Sequence, residues 1–409
     1  MSFATIEAIV KIVLLLGGLM TAAAYFVLLE RWIAAWVQDR KGPNRVGIPL
    51  TKIKMFGLGQ PLADGLKFIF KEEYTPAHVD KVLYGVAPIV ILTAALAIFA
   101  VIPFGSLLPP INIAGQTRTI ELVVAPNMDV GMIFVFALSS IAVYGVILGG
   151  WASNDKYSFL GGLRSSAQLI AYELPLGLGI IGVVLLAGSL RLDTIIQDQA
   201  RTGIWNVFVQ PLGFVVFLVA SFAEAARLPF DLPECEQELV GGYHTEYAGM
   251  RLLLFLIAEF LHMITASFLI AILFFGGWHF WGLTGSPDAP VTWVTAILRL
   301  AVLGAKVFSI IVFFMLVRWS WPRFRFDQLM NLAWKVMLPL GLVNLAATAA
   351  LVEYRAQTGW DSHPWLSIAY GWIVAIIAWV LAALFSPLSS DNRPRHEMAK
   401  FDAERLLSQ

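Results

Sequence analysis

The chain has 409 residues, of which 58% are hydrophobic and 14% charged, and its mean hydropathy is +0.75. This composition is too apolar for a soluble globular protein of this length, and the equal numbers of basic and acidic residues, 28 each, give no sign of nucleic-acid binding. The single cysteine, Cys235, excludes a disulfide framework, a cysteine-ligated iron–sulfur cluster and a thiolate zinc site within this chain.

Nine apolar stretches have the length of a membrane-spanning helix. A bilayer core about 30 Å thick requires roughly 20 apolar residues at a rise of 1.5 Å each. The alternating ten-residue segments of a transmembrane barrel do not occur in the sequence, so we predict one integral membrane domain over residues 1–409, an all-α polytopic bundle. The predicted spans are residues 8–29, 82–104, 128–151, 166–188, 207–226, 252–278, 297–317, 336–353 and 365–386.

The distribution of basic residues predicts the orientation of the bundle. Cytoplasmic loops carry an excess of Lys and Arg. If the N-terminus lies outside, the inward segments hold 21 of the 28 basic residues and the outward side holds six. The C-terminal tail then returns inside. A cleaved signal peptide is the alternative for the first span, but the basic cluster follows the apolar run and favours a retained helix.

The first inward loop contains a candidate amphipathic helix over residues 62–70. Apolar residues recur there at helical spacing, with charged residues between them, which is typical of a helix lying at the membrane surface. Two uses stay open: anchoring to lipid, or lining a portal through which an amphiphilic substrate leaves the membrane. The apolar residues are Leu62, Leu66, Ile69 and Phe70, and the charged residues are Asp64, Lys67 and Lys71.

Charged side chains interrupt several of the predicted spans. Each costs about 2.5 to 3.5 kcal/mol at the centre of a span, so each requires a polar environment inside the protein. Snorkelling towards a helix end is the simpler explanation for Glu224, whereas Glu173 and Lys306 lie deeper. The four residues are Glu173, Glu224, Glu259 and Lys306.

A polar stripe lies on the fourth predicted span. Arg164, Gln168 and Tyr172 are spaced four residues apart and therefore share one face of the helix. We expect this face to contact other helices or a hydrated cavity and not lipid.

The loop after the fifth span is rich in acidic residues for an inward segment. It reads AEAARLPFDLPECEQELVGGYHTEYAGM and carries six acids against Arg227 alone. A solvated acidic loop is one interpretation. The interleaved apolar residues favour another, in which crowded and partly desolvated carboxylates resist ionisation and relay protons. The acids are Glu224, Asp231, Glu234, Glu236, Glu238 and Glu246.

The last long inward loop reads RWSWPRFRFDQL and combines basic with aromatic residues. Anchoring by positive charge on the inner side is the default explanation, docking of a peripheral partner is the more specific one, and the composition allows both.

Five long motifs together resemble the membrane-embedded H subunit of proton-translocating NADH:quinone oxidoreductase, respiratory complex I. The resemblance covers roughly residues 5–354. The motifs are ERWIAAWVQDRKGPNRVG (30–47), GQPLADGLKFIFKEE (59–73), LRSSAQLIAYELPL (163–176), EAARLPFDLPECEQELVGGYHTEYAGMR (224–251) and WPRFRFDQLMNLAWKVMLPL (321–340).

The resemblance implies a multi-pass subunit of the cell inner membrane that forms much of a quinone-binding chamber. Its expected partners are the peripheral-arm subunits that carry the iron–sulfur cluster, neighbouring small membrane subunits, lipid and quinone. By motif position, the quinone channel is implied to involve Glu30, Arg31, Arg40, Gln60, Ala63, Asp64, Lys67, Arg227, Phe230 and Asp231. The proton path is implied to involve Glu173, Glu224, Glu234, Glu236, Glu246, Glu259 and Lys306. No metal site is expected in this chain.

Two segments depart from the family pattern. Extra residues at 48–56 are expected to reshape the portal region, and residues 355–409 add a ninth span and a charged tail. The alternatives are the equivalent subunit of a membrane-bound hydrogenase-type complex and a stand-alone ion or proton transporter, which should often show paired inverted repeats. A haem cytochrome is excluded because His262 and His279, on one predicted helix, are roughly 25 Å apart and cannot share a haem.

Overall fold

The chain folds into long helices joined by short helices and loops. The computed structural model describes residues 3–47, 56–113, 116–126, 128–232, 236–285, 291–358 and 364–385. In chain order the α-helices are α1 (Phe3–Val37), α2 (Gln60–Phe70), α3 (Lys81–Ile98), α4 (Gly131–Ala152), α5 (Lys156–Ala187), α6 (Leu192–Thr202), α7 (Asn206–Val209), α8 (Pro211–Glu224), α9 (Glu236–Leu239), α10 (Gly249–Phe274), α11 (Trp293–Ser320), α12 (Phe326–Asn331), α13 (Leu338–Thr358) and α14 (Pro364–Phe385). A π-helical turn, Leu332–Met337, joins α12 to α13.

Eight helices within these described ranges are long and apolar enough to cross a membrane. They are α1, α3, α4, α5, α10, α11, the continuous helix through α12 and α13, and α14. The predicted all-α polytopic bundle is therefore confirmed.

The fifth predicted span, residues 207–226, is shorter than expected. Its place is taken by α7 and by α8, whose 14 residues rise only about 21 Å. The helix breaks at Gln210 because Pro211 has no backbone N–H and disfavours a helical conformation in the residue before it. The buried Gln210 amide nitrogen donates hydrogen bonds to the Gly182 carbonyl at 2.9 Å and to Thr348 Oγ1 at 3.2 Å, which link the break to α5 and α13.

Two helices extend beyond their predicted spans into polar sequence. The helix α5 begins ten residues before the predicted start at 166, because the Asp155 side chain accepts hydrogen bonds from the backbone N–H groups of Tyr157 and Ser158 and caps the helix there. The helix α1 continues to Val37, past the predicted end at 29. These extensions carry polar side chains of both helices to the predicted inner side.

Two predicted outward loops contain regular structure that hydropathy did not predict. The strands β1 (Ile111–Ile113) and β2 (Gln116–Arg118) form a small antiparallel pair between α3 and α4. The helix α6 lies between α5 and α7, with Ile195 and Ile196 fully buried.

The bundle is built around α10. Its most apolar window is 72% buried, compared with 17% for the peripheral helices α1 and α14. The helix α10 packs against α3, α11, α1 and α8, while α5 lies between α4, α8 and α13.

Glycines allow two pairs of elements to approach closely. A Cβ atom on Gly150 of α4 would lie 2.9 Å from the Ser158 carbonyl and 3.1 Å from the Gly162 Cα atom of α5. A Cβ atom on Gly371 of α14 would clash with the Val209 carbonyl at the end of α7. Small residues are common where membrane helices meet in this way.

Some predictions fall on segments outside the described residues. These segments include positions 48–55 of the extra sequence, Glu234 and Cys235, and the tail from 386 to 409.

Candidate functional site

A buried carboxylate near the C-terminal end of α1 binds two arginines. The Arg227 guanidinium, in the segment after α8, lies 3.3 Å from one Glu30 oxygen, and Arg318 of α11 lies 2.5 Å from the other. Glu30 is only 8% exposed and Arg227 only 4%. Buried charges are tolerated when they are paired in this way. The contact joins three elements that are far apart in the sequence.

A second ion pair lies beside the first. Arg323, after α11, donates to the buried Asp231 carboxylate at 3.1 Å. We call Glu30, Arg227, Arg318, Asp231 and Arg323 the charge cluster. It lies at the junction of α1, α11 and the segment that follows α8.

Aromatic side chains enclose one side of the charge cluster. The Phe230 ring stacks on Phe324 with centroids 5.5 Å apart and tilts against Tyr172 at the same distance. The Arg227 guanidinium lies over the Phe260 ring, 4.2 Å from its centroid. The structure thus brings four predicted quinone-channel residues close together: Glu30, Arg227, Phe230 and Asp231.

The polar stripe on α5 contacts protein, as predicted. Arg164 forms an ion pair with Glu238 at 2.7 Å, and the Gln168 amide donates to the carbonyls of Ala223 and Phe230 at 2.9 and 2.7 Å. The Tyr172 hydroxyl donates to the Leu329 carbonyl at 2.9 Å. The stripe therefore holds α5 against the ends of α8 and α12.

The predicted amphipathic segment forms α2, and none of its residues is buried. The Asp64 carboxylate lies 2.7 Å from Arg31 of α1 and accepts a hydrogen bond from Gln60 at 3.1 Å. Ala63 and Lys67 are exposed on the same helix. The apolar side chains that are exposed on α2 are Leu62, Leu66, Ile69 and Phe70.

Arg40 lies apart from these contacts. It is exposed after the end of α1 and donates to Gln38 at 2.7 Å. Its predicted place beside a quinone channel stays a prediction.

Three of the predicted proton-path carboxylates line one cavity. Glu173 of α5, Glu224 of α8 and Glu259 of α10 face a space of about 40 Å³, which we call the acid cavity. One water molecule needs about 10 to 15 Å³ measured in this way, so the acid cavity has room for roughly three. A proton can pass between carboxylates that share such a space.

Hydroxyl groups contact two of these carboxylates. The Tyr243 hydroxyl donates to Glu259 at 3.1 Å, and the Ser140 hydroxyl donates to Glu173. Ser139 also lines the acid cavity. These two carboxylates therefore have hydrogen-bond partners within the protein and also face a space that can hold water.

His262 also lines the acid cavity, one helical turn after Glu259. It is absent from the proton path that the sequence predicted. The spacing of three residues between an acid and a histidine in an apolar helix places both on one face and was the available signal. Ser139, Ser140 and Tyr243 carried no comparable signal.

Glu246 lies outside the lining of the acid cavity. Its backbone carbonyl accepts a hydrogen bond from the Tyr84 hydroxyl at 2.7 Å. Next to Glu246, Tyr247 stacks on Tyr84 with centroids 4.1 Å apart. Burial raises the pKa of the Tyr247 hydroxyl, so it stays protonated at neutral pH. Glu236 is the first residue of the short helix α9, and Glu234 is outside the described residues.

Lys306 of α11 lies beside the C-terminal end of α10. Its ammonium donates to the carbonyls of Phe275, Gly277 and His279 at 2.6, 2.9 and 2.6 Å. From Glu259 to Phe275 the helical rise alone is about 24 Å, so Lys306 does not share the acid cavity. It caps carbonyls that have no partner within α10.

Lys306 also affects its neighbours. The ammonium lies 4.6 Å from the centroid of the Trp205 ring. Burial, followed by the positive charges of Lys306 and Arg299, lowers the pKa of His279, so this imidazole is neutral at pH 7.

Groups of three or more His, Cys, Asp or Glu side chains that could hold a metal ion do not occur among the described residues.

The fold and these sites define a polytopic membrane protein with buried ion pairs at one end of its bundle. A comparison with protein families matches residues 10–349 to the NADH dehydrogenase family. The chain belongs to this family. The family resemblance recognised in the sequence is thereby confirmed, and α14 lies beyond the matched region.

Relatives in this family carry a more specific name. The chain is 48% identical to an H subunit of the NADH-quinone oxidoreductase of Geobacter metallireducens, over 84% of this chain and 96% of the relative. It is 46% identical to the H subunit from Protochlamydia amoebophila over 80% and 92%, and 42% identical to that from Flavobacterium johnsoniae over 85% and 95%. It is therefore a membrane subunit of an NADH-quinone oxidoreductase.

Proposed function

We propose that this chain forms much of a quinone-binding chamber and couples quinone reduction to proton movement through the membrane. The observation that carries the proposal is the closeness in the sequence of two sites. Glu224 lines the acid cavity, and Arg227, three residues later, binds Glu30 in the charge cluster. A change of charge at one site therefore acts on the other across the short segment that follows α8.

The charge cluster is the side on which quinone chemistry would act. Reduction of a quinone to a quinol takes up two electrons and two protons, and the electrons must come from a partner subunit. Arginines and carboxylates in a poorly solvated setting respond strongly to such a change of charge. Aromatic rings such as Phe230 offer an apolar wall to the quinone ring.

The acid cavity is the side on which protons would move. Glu173, Glu224 and Glu259 exchange protons with each other and with water, while Tyr243 and His262 supply further hydrogen-bonding groups. A movement of the Arg227 guanidinium relative to Glu30 changes the free energy needed to ionise Glu224. This arrangement couples the two sites without an electron carrier in the chain.

The helix α2 is the proposed portal for the quinone. Its apolar side chains are exposed, so they can lie in the membrane surface, and the Asp64–Arg31 ion pair ties it to α1. A lipid-soluble substrate would pass between this helix and the bundle to reach the charge cluster. The remaining predicted channel residues, Arg40, Ala63 and Lys67, stay proposals on the resemblance alone.

The excess of basic residues supports an inner-membrane orientation with the N-terminus in the periplasm and the C-terminus in the cytoplasm. The charge cluster then faces the cytoplasm, where the peripheral-arm subunits that carry the iron–sulfur cluster would dock. The relatives, which are named as parts of NADH-quinone oxidoreductases, favour this assembly over a hydrogenase-type complex.

The proposal is tested by Glu224→Gln and Glu246→Gln in the assembled complex. We expect Glu224→Gln to lower proton translocation or turnover by roughly tenfold, an effect of about 1.4 kcal/mol on the coupled step. We expect a smaller loss for Glu246→Gln, because Glu246 lies outside the acid cavity. The measurement is NADH:quinone turnover together with proton uptake into sealed vesicles, with and without a quinone-site inhibitor.

The matched control is Glu353→Gln, which makes the same change at an exposed residue of α13. It should leave both activities at the wild-type level. Wild-type turnover and proton translocation in both the Glu224 and the Glu246 variants would contradict the proposed relay.

A further inference from the structure

A large apolar groove lies between α1, α10 and α11, in the half of the bundle that contains the N-terminus of α1. Its volume is about 740 Å³. The loop residues Phe104 and Leu122, between α3 and α4, line it as well. Lys11 is its only charged lining residue among those the structure describes.

Two glycines leave space in the walls of this groove. A Cβ atom added to Gly18 of α1 or to Gly304 of α11 would meet nothing within 4 Å. The adjacent helices are therefore held apart here, in contrast to the close approach at Gly150 and Gly162. A void of this size beside a well-packed core needs an occupant, because its walls otherwise lose their van der Waals contacts.

We propose that this groove binds an acyl chain of a membrane phospholipid, with the lipid phosphate at Lys11. The groove lies along three helices that cross the membrane, so its opening faces hydrocarbon. An apolar wall with one cation at its end matches an amphiphile that carries an anionic group on an apolar chain.

The size of the groove fits a lipid chain. The groove holds about 740 Å³, far more than the roughly 10 to 15 Å³ that one water molecule needs by the same measure. From Lys11 to Phe26 the groove follows α1 for about 22 Å, longer than one leaflet of a core about 30 Å thick.

The charge at the end of the groove fits the same ligand. The Lys11 ammonium lies 2.6 Å from the Glu7 carboxylate, and both side chains are partly exposed. Such a pair is weak on its own, and a phosphate can add charge-assisted hydrogen bonds to the ammonium. A long lysine side chain can also extend from the hydrocarbon region towards the head groups.

This groove is separate from the proposed quinone portal. Lys11 and Arg31 are twenty residues apart on α1, which corresponds to about 30 Å along the helix. The helix α2 contacts α1 near Arg31. The lipid site therefore stands independently of the quinone chamber.

The test uses the assembled complex in membranes with a phospholipid that carries a photoactivatable diazirine in its acyl chain. Labelled residues are identified by mass spectrometry of peptides. We expect labels on α1 within residues 11–26 and on α11 within residues 300–311 of the wild-type chain. The variants Gly18→Leu and Gly304→Leu should each lower this labelling by roughly tenfold, because the new side chains fill the groove.

The matched control is Gly17→Leu. Gly17 is exposed on the same helix, also has open space around it, and does not line the groove. Its labelling should equal that of the wild type. Two filled-groove variants on different helices guard against misfolding of one of them, and assembly of each complex is checked by NADH:quinone turnover.

The proposal is overturned by any of four results. One is absence of label in these segments of the wild type. Another is labelling at the wild-type level in both filled-groove variants. The third is labelling of the same residues by a photoactivatable isoprenoid quinone that excess phospholipid does not displace. The last is cross-linking of a helix from a partner along the whole groove.

Discussion

The middle of α10 and its C-terminal end place charged side chains in different surroundings. In the middle, Glu259 faces Glu173 and Glu224 across a space that can hold water, with a tyrosine hydroxyl at 3.1 Å. At the C-terminal end, the Lys306 ammonium is bound by three backbone carbonyls within 2.9 Å. The first arrangement contains several groups that can exchange a proton. The second contains acceptors that cannot take one.

The difference means that buried charge alone does not identify the residues of a proton path. The family resemblance implies that Lys306 belongs to the path, and its depth within a predicted span indicates that it needs a polar environment. Its contacts give it a structural reason to be there, since it satisfies carbonyls at the end of a helix. Its role in proton movement stays a prediction that mutation can separate from this structural role.

The largest expected effect comes from removing the acid at the centre of the charge cluster. Glu30→Ala takes the shared carboxylate from Arg227 and Arg318, and loss of one member of a buried ion pair typically costs about 3 to 5 kcal/mol. We expect a lower Tm of the assembled complex and loss of quinone reduction. Thermal unfolding and NADH:quinone turnover provide the measurements.

Glu7→Ala is the control for this prediction, because Glu7 is an acid of the same helix in a partly exposed pair with Lys11. Its cost should stay below about 1 kcal/mol. Equal stability of the Glu30 and Glu7 variants would mean that the charge cluster contributes little to the fold.

An intermediate effect is expected at Lys306, beside the C-terminal end of α10. Lys306→Met removes three charge-assisted hydrogen bonds but also removes a buried charge, so we expect a net loss of about 2 to 3 kcal/mol. The number of protons translocated per NADH should not change. Thermal unfolding and a proton-to-electron ratio in vesicles measure the two effects.

Glu259→Gln is the contrasting variant. The amide keeps an oxygen that can accept from Tyr243, so stability should change little while proton translocation falls. A stable Lys306→Met complex with impaired translocation would break the comparison and support the predicted place of Lys306 in the proton path.

The smallest effect on stability is expected at α2. Asp64→Asn weakens an ion pair with a partly exposed Arg31, which is worth about 0.2 to 1 kcal/mol. If α2 is the quinone portal, KM for quinone should rise while Tm stays near the wild-type value. Glu72→Gln, at an exposed position just after α2, should change neither quantity. An unchanged KM in Asp64→Asn would argue against the portal.

Hydropathy predicted most of the bundle because membrane spans need a minimum apolar length. It failed at residues 207–226, where Pro211 interrupts an apolar stretch, and at the start of α5, where Asp155 caps a helix in polar sequence. Both signals are local and were present in the sequence. The short strands Ile111–Ile113 and Gln116–Arg118 lie in a loop where a pattern of apolar residues carries little information.

The candidate site was predictable as a set of residues but not as an arrangement. Buried charge identified Glu173, Glu224 and Glu259, and the family resemblance added Glu30 and Arg227. Their pairing depends on contacts between residues that are 197 positions apart, such as Glu30 and Arg227, which periodicity cannot reveal. The contacts of Lys306 were also not predictable, because its partners are backbone carbonyls, which every residue type carries.

The contact between Gly371 and Val209 limits how α14 can be transferred to a related protein. The helix α14 lies outside the region that matches the family, yet it packs on α7, α8 and α13 and hydrogen-bonds through Tyr370 to the Ala347 carbonyl at 3.0 Å. A chimera that grafts α14 onto a shorter relative therefore needs a matching surface at the break before Pro211. A purification tag is better attached beyond residue 385 than in place of this helix.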